Sequence, residues 1–262
     1  MYTKEINKNE YEFKQGADLR NANLSKTDLT DICLIEACLV DANLYGVSWK
    51  EADLKRADLR RSDLRRSELS NSTLEYANLE HANLEYTFLA DTSLKGANLL
   101  NANLRYINWE HVDLKSACLE RADLEHANLR DVDLSRANLR HANLFKADLE
   151  NANLFKANLE NANLKNALLK NANLAGVNLK SANLANANLE KASLFSVDLE
   201  HVDLSHVNLN GANLSYANLR NVDLRRVSLE NANLKHANLR GAITDDPTIQ
   251  KLIDKVNAKG RV

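Results

Sequence analysis

From Leu19 to Leu239 every fifth residue is Leu, with only Trp49 and Trp109 differing among 45 positions, and the register never slips. A period of five matches neither the 3.6 of an α-helix nor the 2 of a long strand. It suits three extended residues followed by a corner. Two residues before each Leu, from Ala17 to Ala237, stands a small residue, Ala at 28 of the 45 positions and mostly Val, Ser or Thr elsewhere. Residues two apart in an extended segment point to one side, so the small residue and the Leu face inward together. The residue between them is Asp or Asn at 34 of 45 positions and points out. Ala122-Asp123-Leu124-Glu125-His126 is a representative unit.

The corner needs dihedrals that few residues tolerate, and the sequence supplies the tolerant ones. The second residue after each Leu is Asn, His, Asp or Gly at 26 of 45 positions. These types accept positive φ most readily, so the spacing predicts one left-handed position per corner. All seven histidines (His81, His111, His126, His141, His201, His206 and His236) fall in this column. Backbone tolerance accounts for them without a metal.

This pattern over residues 17–241 resembles the pentapeptide-repeat family. The resemblance implies an all-β fold, a right-handed quadrilateral β-helix with four repeats and 20 residues per coil. Forty-five repeats then make about 11 coils, a rod roughly 53 Å long at ~4.8 Å per coil. Each coil would stack four Leu and four small residues inside, leaving no room for a ligand or a buried active site.

Both ends leave the register. Residues 1–16 carry Ile6, Tyr11 and Phe13 and are expected to form an N-terminal cap. Residues 242–262 hold Asp245-Asp246-Pro247, an acidic helix cap with Pro in the first turn. Ile249, Leu252, Ile253 and Val256 follow at i, i+3, i+4 and i+7, the apolar stripe of a short C-terminal helix. That stripe either closes the solenoid, giving a monomer, or packs on a second copy, as in dimeric family members that protect DNA gyrase.

Composition narrows the function. Aromatics are 5% of the 262 residues, and 34 basic against 36 acidic side chains leave a net charge of −2. No overall field holds such a chain on nucleic acid or an anionic membrane, so neither is an expected partner. No apolar run is long enough for a membrane span, and the first ten residues lack a signal-peptide core. Cys33, Cys38 and Cys118 are odd in number, which with the missing signal predicts reduced thiols in a cytoplasm. Catalytic, nucleotide-binding and zinc-binding motifs are missing, so the chain reads as a non-enzyme without cofactors.

Function is therefore expected on the outer walls, which the 20-residue period separates into four sides. Three sides are balanced or mildly basic: 8 acids against 8 bases, 6 against 8, and 5 against 7. Side three, centred on Leu29, Trp49, Leu69 and onward, holds 11 acids and 4 bases. Its acids are Asp28, Asp31, Glu51, Glu68, Asp91, Glu110, Asp131, Asp148, Glu150, Glu190 and Glu230. The same side carries Phe88 and Leu168, the only large apolar residues in the Asp/Asn column, and both Trp replacements, Trp49 and Trp109, which either point inward or reach the surface. An acidic wall with apolar anchors is expected to bind a protein partner. The family resemblance offers an alternative, a DNA mimic that occupies a type II topoisomerase. Two other features are Tyr86, Tyr106 and His126, aligned on successive coils with Lys146 next, and a basic belt of Lys55-Arg56, Arg60-Arg61 and Arg65-Arg66 around three sides, interleaved with Asp53, Asp58 and Asp63.

Overall fold

Asp18 pairs with Cys38, Asn23 with Asn43, Asp28 with Ser48, and the series continues in parallel bridges of residue i with i+20 as far as Asp223 and Ile243. This computed structural model describes residues 2–6 and 9–259, with side chains for 3–6 and 9–255. Each five-residue unit is one short extended step and one turn, so four of them close a square coil and the chain winds a quadrilateral β-helix. No insertion interrupts the five-residue pattern between 17 and 243.

The corners explain the turn. Ala22 N–H donates to Leu19 C=O at 3.1 Å, and the equivalent bond recurs around the coil. Positive φ is found at 44 of the 45 corner residues from Asn21 to Gly241, with Arg226 the exception. His81, His141 and His201 have φ of 58°, 57° and 66°. The tolerant residues thus sit where expected, but the fold also forces Arg56, Tyr76, Lys146 and Glu36 into the same region. A left-handed L-residue costs about 1–2 kcal/mol. The cost at these corners is offset by the core and the ladder on either side.

The outward Asp and Asn perform two jobs. Asn78 Oδ1 accepts the Glu80 N–H at 3.1 Å, and it also accepts the Asn98 side-chain N–H from the next coil at 3.0 Å. Such side-chain ladders repeat on the walls, for example Asn143 to Asn163 at 2.9 Å. Inside, the Leu column is buried from Leu19 to Leu224. Ser62 in the small column remains satisfied by donating to Leu59 C=O at 2.7 Å.

At two steps the pairing opens. Among the described residues, bridges are missing only between Asn178 and Asp198 and between Asp203 and Asp223. At both places Val stacks on Val in the small column, Val177 on Val197 and Val202 on Val222. The two other Val-on-Val pairs keep their bonds but stretch them: Asp133 N to Val112 O is 3.2 Å and Ser228 N to Val207 O is 3.1 Å, against 2.9 Å for Asn98 N over Ala77 O. β-Branched side chains need more room between coils than Ala. Gaps of about 160 Å³ and 150 Å³ lie at the two open steps.

The ends differ from the coils. Strands β1 (Tyr2–Ile6) and β2 (Asn9–Phe13) pair antiparallel as a hairpin, with Tyr2 opposite Phe13. Ile6 and Phe13 are buried in the same core as the Leu column. The Tyr11 hydroxyl accepts the Asn23 N–H at 3.1 Å. Helix α1 (Pro247–Lys259) begins where Asp246 Oδ1 accepts the Thr248 and Ile249 N–H groups at 2.7 and 3.2 Å. Ile249 and Ile253 are buried in the rod's core and Leu252 remains 39% exposed. A dimerisation stripe of all four residues is therefore corrected: Ile249 and Ile253 pack on their own chain. The Val256 side chain lies outside the described residues.

A candidate protein-interaction wall

Side three departs from the regular coil because of what lies behind it. Trp49 and Trp109 are fully buried, so their assignment to the partner surface is corrected. An indole in place of Leu fills the coil interior. Trp109 Nε1 reaches Thr87 Oγ1 at 3.4 Å, whereas Trp49 Nε1 has no hydrogen-bond partner among the described residues. Next to Trp109 the backbone ladder slackens: the Phe88–Asn108 bridge persists, but where Ile107 stacks on Thr87 the Asn108 N–H makes no close, well-aligned bond to Thr87 C=O.

Outside, Phe88 and Leu168 are exposed, at 50% and 45% of their surface. The outward column reads Glu68, Phe88, Asn108 on successive coils and, further along, Asp148, Leu168, Asn188. Phe88 and Leu168 are four coils apart, about 19 Å at ~4.8 Å per coil.

The acids of this wall are not equivalent. Arg130 binds Asp148 at 3.2 Å and also Glu150, and Lys170 and Lys191 hold Glu190 at 3.3 and 3.5 Å. The Lys170 ammonium beside it holds the Glu190 carboxyl below its usual range. Asp28 also lies below its usual range, chiefly through the Thr30 hydroxyl it accepts at 2.7 Å. Glu51, Glu68, Asp91, Glu110 and Asp131 form no ion pair among the described residues. Glu68 accepts from the Ser70 hydroxyl and Glu110 from the Asn128 side chain at 3.0 Å. Asp28, Asp31 and Glu230 form no ion pair among the described residues either, so the uncompensated charge runs from Asp28 to Asp131, with Phe88 within it, and Glu230 stands apart. Leu168 stands among paired charges.

Most of the basic belt is neutralised by ion pairs, Lys55 and Arg66 forming none among the described residues. Arg60 grips Asp58, Arg65 grips Asp63 and Arg61 grips Asp41, each with two N–H···O bonds of 2.6–2.8 Å. Those bonds keep each of the three carboxylates below the usual range.

Sequence reading did not join one neighbouring feature to this wall. Tyr86, Tyr106 and His126 stack face to face along the corner between sides two and three, with centroids 5.3 Å apart and planes within 12°. Arg66 lies 5.6 Å over Tyr86, and Phe145 meets His126 edge-on. Tyr86 and Tyr106 are 42% and 39% exposed. The signal was available: Tyr86 is two residues from Phe88.

Among the described residues no group of His, Cys, Asp and Glu is placed to hold a metal, and Cys33, Cys38 and Cys118 are free thiols. Among the described residues no helix is long and apolar enough to cross a membrane.

Comparison with known proteins agrees with the repeat. Two family models described as pentapeptide repeats match, one over residues 15–39, 37–75, 74–105, 172–211 and 208–243, the other over 107–179. Among solved structures, HetL, a pentapeptide-repeat protein involved in heterocyst differentiation regulation from the cyanobacterium Nostoc sp. strain PCC 7120, is 31% identical. The match covers 87% of this chain and 92% of that one, with a TM-score of 0.48. QnrB1, a plasmid-mediated fluoroquinolone resistance protein, is 17% identical over 87% of this chain and 94% of its own, at a TM-score of 0.46. Rfr23 from the cyanobacterium Cyanothece 51142 is 30% identical over 52% of this chain and 85% of its own, at a TM-score of 0.27. No curated protein sequence matches.

Proposed function

The chain belongs to the pentapeptide-repeat family, and on that premise we propose that it is a non-enzymatic scaffold, a rod of about 11 coils that binds a protein partner through the acidic stretch of side three. The supporting observation is the coincidence of unpaired acids with an exposed apolar residue, Phe88, among them. Charge sets orientation and association rate, and a desolvated apolar anchor supplies most of the affinity. A core filled by Leu and Ala leaves no interior cavity of ligand size among the described residues, which fits a role without chemistry.

The second reading is a DNA mimic on a type II topoisomerase. A mimic needs negative charge along most of the rod. Here the negative stretch covers part of one wall, and the other three walls are balanced or mildly basic, so the scaffold reading is preferred.

A photoreactive amino acid placed at position 88, and separately at position 98 on side one, tests the wall. Adducts with a discrete partner from 88 but not from 98 are expected. Equal labelling from both, or labelling only from a probe in the basic belt, overturns the assignment. A supercoiling assay with purified gyrase runs beside it; inhibition or drug protection by the chain favours the second reading.

A further inference from the structure

On the stretch of side three just described, and resting on that reading, we infer that the partner element is a basic amphipathic helix laid along the rod, with Lys or Arg at seven-residue spacing. The corner between sides three and four carries Glu51, Asp91 and Asp131, alternate members of one column. Two coils separate each from the next, so the carboxylates recur every ~9.6 Å. All three corners are left-handed, with φ of 59°, 54° and 57°, which fixes the three side chains on one edge. The opposite edge of the same wall carries Tyr86 and Tyr106, and Phe88 lies between the edges. One side of this strip is acidic and the other aromatic, with Arg66 and Arg105 laid over the Tyr86 and Tyr106 rings at 5.6 Å, so that the ring edges are what remains for an apolar stripe.

A helix rises 1.5 Å per residue, so residues seven apart are about 10.5 Å apart and lie on nearly the same face. Three cations at i, i+7 and i+14 span about 21 Å, against about 19 Å from Glu51 to Asp131. An apolar stripe turned from those cations toward the aromatic edge would cover Phe88 and the ring edges of Tyr86 and Tyr106. An extended strand fits worse. Its same-face residues recur at about 6.6 or 13 Å, and neither step matches the carboxylate spacing. Nucleic acid is excluded by the sign of the charge.

The test uses the full chain and three labelled 18-residue peptides, read by fluorescence anisotropy. One is a helix with Lys every seventh residue beside a Leu stripe; the second has the same composition with the Lys positions scrambled; the third carries Pro at two central positions to abolish the helix. The heptad peptide should bind at least tenfold more tightly than either control. Phe88→Ala and the double change Asp91→Asn with Asp131→Asn should each weaken it about tenfold, while Asn retains the left-handed corner. Unchanged far-UV circular dichroism shows that these variants fold. Equal affinity for the three peptides, or tighter binding of the Pro peptide, overturns the helix. If position 88 still crosslinks a partner while the heptad peptide has no advantage, the helix fails and the wall stands. If position 88 labels nothing, the wall itself fails.

Discussion

Gly96 lies beneath a ring. Its φ is +65°, and a Cβ built on it would lie 2.6 and 2.7 Å from Cε1 and Cδ1 of Tyr76, one coil away. Gly46 has nearly the same backbone, φ +63°, but its Cβ would meet only Lys26 Cγ at an ordinary 3.6 Å. The pair separates two costs. Alanine at either corner meets the left-handed penalty of about 1–2 kcal/mol. It recovers about 0.4–1 kcal/mol because Ala has fewer unfolded conformations than Gly. Gly46→Ala should therefore destabilise by about 1 kcal/mol. Gly96→Ala must in addition displace the Tyr76 ring. That ring is already 55% exposed and can swing into solvent. Exposing roughly 40 Å² of ring at about 25 cal/mol per Å² adds about 1 kcal/mol. Gly96→Ala should then cost about 2 kcal/mol, and in a Tyr76→Ala background only about 1. Urea midpoints by circular dichroism at constant m-value measure the wild type, the three single variants and the Tyr76→Ala/Gly96→Ala double variant. Equal losses at the two glycines, or a Gly96 loss that survives removal of Tyr76, would refute the reasoning.

Trp49 and Trp109 are fully buried, so emission should be blue-shifted and resist acrylamide quenching; a maximum near that of free indole would place a Trp at the surface. Amides of Leu179 and Leu204, beside the open steps, should exchange faster than those of Leu159 and Leu164, which bond to the next coil at 2.8 Å; equal protection by mass spectrometry would close the seam. The Asp18 and Asp223 carboxyls are lowered from an ordinary 3.8 to about 2 by the hydrogen bonds of Arg20 and Arg225. Because the folded value is depressed, each pair contributes above the unfolded value and its contribution is lost as pH falls toward 2. Carboxyl NMR titration should show Asp18 near 2 in the native chain and raised after Arg20→Gln, though still below 3.8 because the residue-20 backbone N–H continues to donate to it, and no change would dissociate the pair.

The five-residue period made the coil legible because one residue type answers one position in space, and a Leu column needs no partner information to be read. The corner was legible for a different reason: Asn, His, Asp and Gly reveal positive φ by composition. Lys146 and Tyr106 gave no such signal, and they adopt it because the closed coil leaves no other path. The open steps were hidden in the sequence. Val177 and Val197 are harmless singly, and their crowding appears only when residues 20 apart are stacked. The N-terminal hairpin was hidden as well, since Ile6 and Phe13 predict burial without a strand direction. At the wall, the anchors Phe88 and Leu168 stood out as breaks in the Asp/Asn column. The pairing of Asp148 and Glu150 with Arg130 required side-chain geometry.

The interior of this rod counts in fives and its surface counts in twenties. An insertion or deletion of five residues leaves every Leu inside and every corner left-handed, so the folded state barely registers it. Everything beyond the change is nevertheless turned by a quarter. Five residues gained between Phe88 and Leu168 would move Leu168 to the adjoining wall, whereas twenty would only carry it ~4.8 Å further along the same one. Slippage during replication of such a repetitive gene therefore offers two distinct mutations, one that lengthens the reach between two contacts and one that re-aims them. Neither has to pass through a chain that cannot fold.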